Sequence, residues 1–150
     1  MNIESMLRSR GVAFDVLPHR SEFSASRTAE SLHVPGARFA KTVVLEVDGD
    51  PVMVVVPANR TVNLEAVRRL MGARRVELAQ EREFAQMFPD CELGAMPPFG
   101  SEFQMPTIID EGLTNDDDIF FDSETHDRAM HMRYTDYADV EQPRVAHIVN

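Results

Sequence analysis

The stretch Phe39-Ala40-Lys41-Thr42-Val43-Val44-Leu45-Glu46-Val47, followed by Asp48-Gly49 and then by Pro51-Val52-Met53-Val54-Val55-Val56-Pro57, decides the fold. Side chains alternate across a strand. Phe39, Lys41, Val43, Leu45 and Val47 therefore share one face, and Ala40, Thr42, Val44 and Glu46 the other. Asp-Gly between two apolar runs is the signal of a two-residue hairpin turn, and in that register Lys41 lies opposite Val56. The return run is apolar on both faces, as a strand covered from both sides must be. Lys41 is then a single cation in an apolar row, at the end of the hairpin away from the turn, beside Pro57, Ala58 and Asn59. A buried ammonium needs an anionic partner or a ligand, which makes Lys41 a candidate for a site. The same pattern also fits a stem packed on the sheet with its head reaching water.

Working outward, Asn2 caps a helix carrying Ile3, Met6 and Leu7, ended by Gly11. A strand is expected at residues 12–17. A polar loop follows, and then a helix starting at Ser24 or Ser26, with Ser26, Arg27 and Thr28 in its first turn, where free N–H groups can meet an anion. Asn63 caps a helix over 64–71 that Gly72 closes. A short strand at 75–78 precedes a helix over 81–88, which Pro89 stops. Residues 90–100, with three of their positions taken by Gly94, Pro97 and Pro98, fit neither a helix nor a central strand. Strands are expected at 105–109 and 118–122. An alternating run then places Met130, Met132 and Tyr134 on one face and Ala129, His131 and Arg133 on the other. Asp136 begins a last helix before a strand at 144–149. Strands and helices mix without strict alternation, so the fold class is α/β with a mixed sheet, in a single domain over 1–150.

The composition narrows the function. The 150 residues are 43% hydrophobic and carry a formal charge of −10, which argues against broad phosphate-driven binding to DNA or RNA. No apolar run has the length of a membrane span, and the expected location is the cytoplasm. Cys91 is the only cysteine, so an intrachain disulfide and a thiolate zinc site are both excluded. His126 and His131 lie near Glu124 and Asp127, but strand geometry would separate them, and no metal or other cofactor is expected. Dinucleotide, Walker-type and serine-hydrolase motifs are absent. The segment 94–100 combines glycines, which permit close backbone approach, with two prolines that stiffen it. Such a loop can bind a developing oxyanion or can simply cross the sheet edge.

Ser26-Arg27-Thr28-Ala29, Ala40-Lys41-Thr42, Pro57-Ala58 and Gly94-Ala95-Met96-Pro97-Pro98-Phe99-Gly100, in this order and spacing, resemble the YbaK/EbsC-like family. This is the family of the editing domain of bacterial prolyl-tRNA synthetases and of free-standing aminoacyl-tRNA deacylases. The resemblance covers about residues 19–136. It implies a compact fold with a curved mixed sheet flanked by helices, and hydrolysis of the ester between a wrong amino acid and the tRNA 3′ end, without a metal. It assigns Lys41 to positioning the terminal adenosine and aminoacyl group, and Gly94 with its loop to the scissile carbonyl. Ser26, Thr28, Thr42, Pro57, Ala58, Pro97, Pro98, Phe99, Gly100, His126 and His131 fall to the substrate pocket. The attacking water is helped by the substrate's ribose hydroxyl, which accounts for the lack of a protein nucleophile.

Two features depart from the family. Ser123-Glu124-Thr125-His126-Asp127-Arg128 stands where many members are glycine-rich, and Thr42 follows the lysine as in cysteine-editing members rather than the asparagine of alanine-editing ones. The expected substrates are Ala-tRNA-Pro or Cys-tRNA-Pro. The acidic charge implies contact with the acceptor end alone, with affinity supplied by a partner such as prolyl-tRNA synthetase. The rival reading is a non-catalytic module that binds a nucleotide or aminoacyl ligand.

Overall fold

In a computed structural model, which describes residues 2–92 and 94–150, the central hairpin takes the register read from the sequence. Strands β2 (Phe39–Val47) and β3 (Asp50–Pro57) run antiparallel with Lys41 opposite Val56. Asp48 and Gly49 both have positive φ, 49° and 88°, as a tight hairpin turn matching the strand twist requires. The Asp48 carboxylate also accepts hydrogen bonds from the Arg74 and Arg75 N–H groups, tying the turn to the segment that leads into a neighbouring strand. Val52, Met53, Val54, Val55 and Val56 are all buried, each side chain worth roughly 1.5–3 kcal/mol of burial.

In chain order the elements are α1 (Ile3–Ser9), β1 (Asp15–Pro18), α2 (Ala25–Ser31), β2, β3, α3 (Leu64–Met71), β4 (Val76–Leu78), α4 (Glu81–Phe84), β5 (Thr107–Asp110), β6 (Asp118–Asp122), β7 (Arg128–Arg133), α5 (Tyr134–Glu141) and β8 (Arg144–Ala146). The strands form one mixed sheet in the order β1-β7-β6-β2-β3-β5-β8, with β4 also on β2. The pairs β2·β6, β3·β5 and β5·β8 are parallel, and the rest are antiparallel. Among the described residues no helix is long and apolar enough to cross a membrane.

Three caps hold as read. Asn2, Ser24 and Asn63 each accept a hydrogen bond from the N–H three residues on, and Gly72 closes α3 at φ 62°. Several boundaries move. The first strand starts at Asp15 and not at 12, the fifth at Thr107 and not at 105, and the last ends at Ala146. The segment expected as one helix over 81–88 is α helix only to Phe84 and a 3-10 turn over Ala85–Met87. Helix α5 starts at Tyr134 and not at Asp136, and its turns bring Tyr137 and Glu141, four apart, to one buried side. Residues 90–92 and 94–99 carry neither helix nor strand, and Leu93 is outside the described residues.

The sheet divides two layers. One face carries Ala40, Val44, Met53, Val55, Ile109, Phe121, Met130 and Met132 against α1, Met96, Phe99 and Tyr137. On the other, Leu45, Val52, Val54, Val56 and Ile108 pack against Val67 of α3. Phe39 and Ala129 pack there against Ala25 and Ala29 of α2. Alternation places Lys41 on this second face.

Candidate active site at a fork in the sheet

The second edge of β2 is shared. β6 pairs with it only at Phe39 and Ala40, and β4 only from Leu45 to Val47. Among the described residues, 41–44 have a strand partner on the β3 side alone, although Val44 O is taken by Ala79 N at 3.1 Å. The sheet therefore forks at Lys41. Backbone groups beside such an opening must meet water, a side chain or a ligand.

Lys41 is the only lysine in the chain, all fourteen other cationic residues counted at neutral pH being arginine. It is half-buried, and its Nζ donates to Arg60 O at 2.8 Å. Burial lowers its pKa. The head is thus tied to the turn after β3, at the mouth where the sequence put it.

Asp122, the last residue of β6, stands across the fork. Phe39 pairs with Phe120 and Ala40 with Phe121, so Lys41 and Asp122 are the first residues beyond the pairing, and alternation puts both on the same face. Asp122 is 7% exposed and its Oδ1 has no hydrogen-bond partner among the described residues. Burial pushes its carboxyl up to about 7, against the opposing influence of the His126 imidazole. His126 is buried in the turn between β6 and β7, with the Phe23 ring 4.9 Å from its own. Phe23 is 77% exposed, so the pair forms a lip. Gly94 reaches the same turn: a Cβ on it would meet His126 Cε1 at 3.4 Å, an ordinary contact, whereas its φ of 85° favours glycine. The loop is held there by Glu92 N donating to Glu124 O and Glu124 N donating to Ala95 O.

The structure brings together some of the residues expected at the site and separates others. Ser26 Oγ donates to Ala58 O at 2.9 Å, fastening α2 to the turn after β3, and Ala40 pairs with Pro57. Thr42 is half-buried on the opposite face from Lys41. Thr28, expected in a ligand-facing first turn, is fully buried with its hydroxyl donated to Ser24 O, and the Arg27 N–H is taken by the Ser24 side chain. The Arg27 and Thr28 N–H groups are thus already paired. Pro97 and Pro98 are enclosed, and the Pro98 carbonyl accepts from Tyr137 Oη at 2.6 Å. Phe99 is fully buried against Phe121 and Tyr137. Gly100 N donates to Thr107 Oγ1, in a spot where a Cβ would fall 2.3 Å from that oxygen. These last four residues anchor the loop in the core, and Gly94 is its exposed end.

His131 also differs from the pocket wall expected. Its ring stacks on Phe120, with Nδ1 3.0 Å from Asp15 Oδ2 and Nε2 3.0 Å from Asp118 Oδ1. Two acceptor carboxylates use both ring nitrogens, so His131 clasps β1 to β6. Burial first, and then the Glu124 carboxylate, push the Cys91 thiol up to about 12, which suppresses the thiolate a nucleophile needs.

Sequence reasoning missed Asp122. Its alternation with Phe120 was legible, but its place beside Lys41 depends on the parallel pairing of β2 with β6, which has no local signal.

A family model described as an aminoacyl-tRNA editing domain matches residues 19–140. A proline--tRNA ligase of Maridesulfovibrio salexigens is 27% identical over 114 residues, covering 76% of this chain and 20% of the ligase. The chain thus spans about a fifth of that relative. A protein of Escherichia coli O157:H7 named multifunctional Ser/Thr-tRNA deacylase ProXp-y is 24% identical over 146 residues, covering 94% of this chain and 87% of that protein. The crystal structure of a proposed trans-editing enzyme for prolyl tRNA synthetase superposes with a TM-score of 0.87 at 18% identity, over 99% of this chain and 94% of that one. At that identity the likeness is one of fold.

Proposed function

The chain belongs to the aminoacyl-tRNA editing domain family, and from that premise we propose that it is a trans-editing deacylase, which hydrolyses the ester of a misacylated tRNA of the Ala-tRNA-Pro or Cys-tRNA-Pro class. The observation that carries this reading is the fork. It holds the chain's only lysine, half-buried and bonded to a backbone carbonyl, where it can bind substrate. An aminoacyl ester is already an activated acyl group. Orientation of the carbonyl, together with donors aimed at the oxyanion, can supply the rate without a protein nucleophile.

In this reading Lys41 Nζ turns from Arg60 O to the 3′-terminal nucleotide or the aminoacyl carbonyl. The exposed backbone around Gly94 faces the developing oxyanion, and the Phe23–His126 lip closes over the amino-acid side. The attacking water is assisted by the neighbouring ribose hydroxyl of the substrate. The partner is the tRNA acceptor end, with prolyl-tRNA synthetase or another tRNA-binding protein supplying affinity that an acidic chain lacks.

The test is a panel of Ala-, Cys-, Ser- and Thr-charged tRNAs, the last two suggested by the name of the Escherichia coli relative, with wild type and Lys41→Ala side by side. Wild type should cleave at least one member. Lys41→Ala should lose about 100-fold in kcat/KM with an unchanged circular dichroism spectrum. No cleavage by wild type, together with saturable binding of a nucleoside, would overturn the reading in favour of a binding module.

A further inference from the structure

Among the described residues, three buried side-chain polar atoms lack a hydrogen-bond partner: His19 Nε2, Arg38 Nε and Asp122 Oδ1. Asp122 Oδ1 is the one on the boundary between β6 and β2, where the fork opens. Folded proteins seldom leave a buried carboxylate oxygen unpaired, because its desolvation is not repaid. An oxygen kept in this state beside an opening is complementary to a donor that arrives with the ligand.

The surroundings define that donor. When ionised the carboxylate only accepts, and a cation beside it favours that form, so the ligand that fits it best both donates and carries positive charge. Lys41 is the nearest cation in register, but its Nζ is bonded to Arg60 O. The residue opposite Asp122 on β7 is Ala129, whose methyl side chain offers the carboxylate no hydrogen bond, and His126 acts on it through its charge. Asp122 would repel a phosphate, which the Lys41 side of the fork can take. An aminoacyl-tRNA end has one cationic group, the α-ammonium next to the scissile carbonyl.

Resting on the deacylase reading above, we infer that Asp122 receives the α-ammonium group of the aminoacyl moiety, so that the site takes esters of amino acids with a free nitrogen and rejects N-acylated ones. Lys41 and Asp122, on one face at the two lips of the fork, then hold opposite ends of the reacting group: its oxygen side and its nitrogen side. The division of labour also fixes which way round the ester enters. It makes peptidyl-tRNA and N-blocked initiator-type esters poor substrates because they have no charge to offer the buried oxygen.

The experiment takes the aminoacyl-tRNA that wild type cleaves fastest and compares it with the same tRNA acetylated on the α-nitrogen. Wild type should prefer the free amine by roughly 30- to 100-fold, the range of a lost charge-assisted hydrogen bond. Asp122→Asn should narrow that preference to about fivefold or less, mainly by slowing cleavage of the free amine, while a thermal melt confirms that it folds. Equal cleavage of the two esters by wild type would overturn the inference and leave the deacylase reading standing, and this arm needs no variant. Full discrimination retained by Asp122→Asn would overturn the role of Asp122. Failure of wild type to cleave any unblocked ester would overturn the deacylase reading, and the inference with it.

Discussion

Two buried carboxylates, Glu141 and Asp122, are 8% and 7% exposed, yet they live in opposite conditions. Glu141, on α5, accepts from Thr107 Oγ1 at 2.6 Å, Ser101 N at 3.1 Å and Ser101 Oγ at 2.5 Å. Thr107 Oγ1 in turn accepts from Gly100 N at 3.0 Å. Every polar group in that knot is spoken for. Asp122 keeps an oxygen with no partner among the described residues. Equal burial with unequal satisfaction separates a carboxylate that holds the fold from one that waits for a ligand.

The largest effects are expected at the Glu141 knot. In Gly100→Ala the new methyl would fall 2.3 Å from Thr107 Oγ1 and 2.9 Å from Met105 O, and since one of these is backbone it cannot simply rotate away. A loss of about 3–5 kcal/mol in urea unfolding is expected. Thr107→Val, close in shape but without the hydroxyl, leaves Gly100 N with no acceptor and takes one of two donors from Glu141 Oε2, and should cost about 2–3 kcal/mol in the same assay.

The fork should respond with the opposite sign. The carboxyl of Asp122 is raised to about 7 when folded, above its unfolded value, so the folded state holds the proton more tightly. Its contribution is fully present below the unfolded pKa, and is lost as pH rises through about 7. Asp122→Asn removes that loss. The variant should be more stable than wild type at pH 8 by roughly 1–3 kcal/mol, with the difference shrinking towards pH 5, read as urea midpoints across pH. A variant less stable at pH 8 would show that Asp122 is satisfied after all. The smallest effect belongs to His131→Ala, whose partner Asp15 is largely exposed. It should cost about 1 kcal/mol or less by thermal melt and leave deacylation within about twofold.

What could be read from the sequence follows the range of the interactions involved. The Asp48-Gly49 turn, the opposition of Lys41 to Val56 and the caps at Asn2, Ser24 and Asn63 depend on residues within a few positions of one another, and all hold. The fork depends on β6 meeting β2 only at Phe39 and Ala40, between residues some eighty apart, and parallel pairing leaves no turn to announce it. The same is true of the loop anchors. Pro98 and Gly100 read as parts of a stiff loop close to a ligand, whereas Tyr137 and the Glu141–Thr107 pair draw them into the core. Of the segment 94–100, the sequence shows that it is stiff and irregular, and the tertiary structure decides which end faces solvent.

One feature of the fork also makes the protein easy to interrogate. Because the chain has a single lysine, it has a single side-chain amine, so an amine-directed label or an aldehyde on an oxidised ribose can mark only that place apart from the terminal amine. A mass spectrum would then report directly whether a nucleic-acid end lies over the fork, without mutation and without turnover.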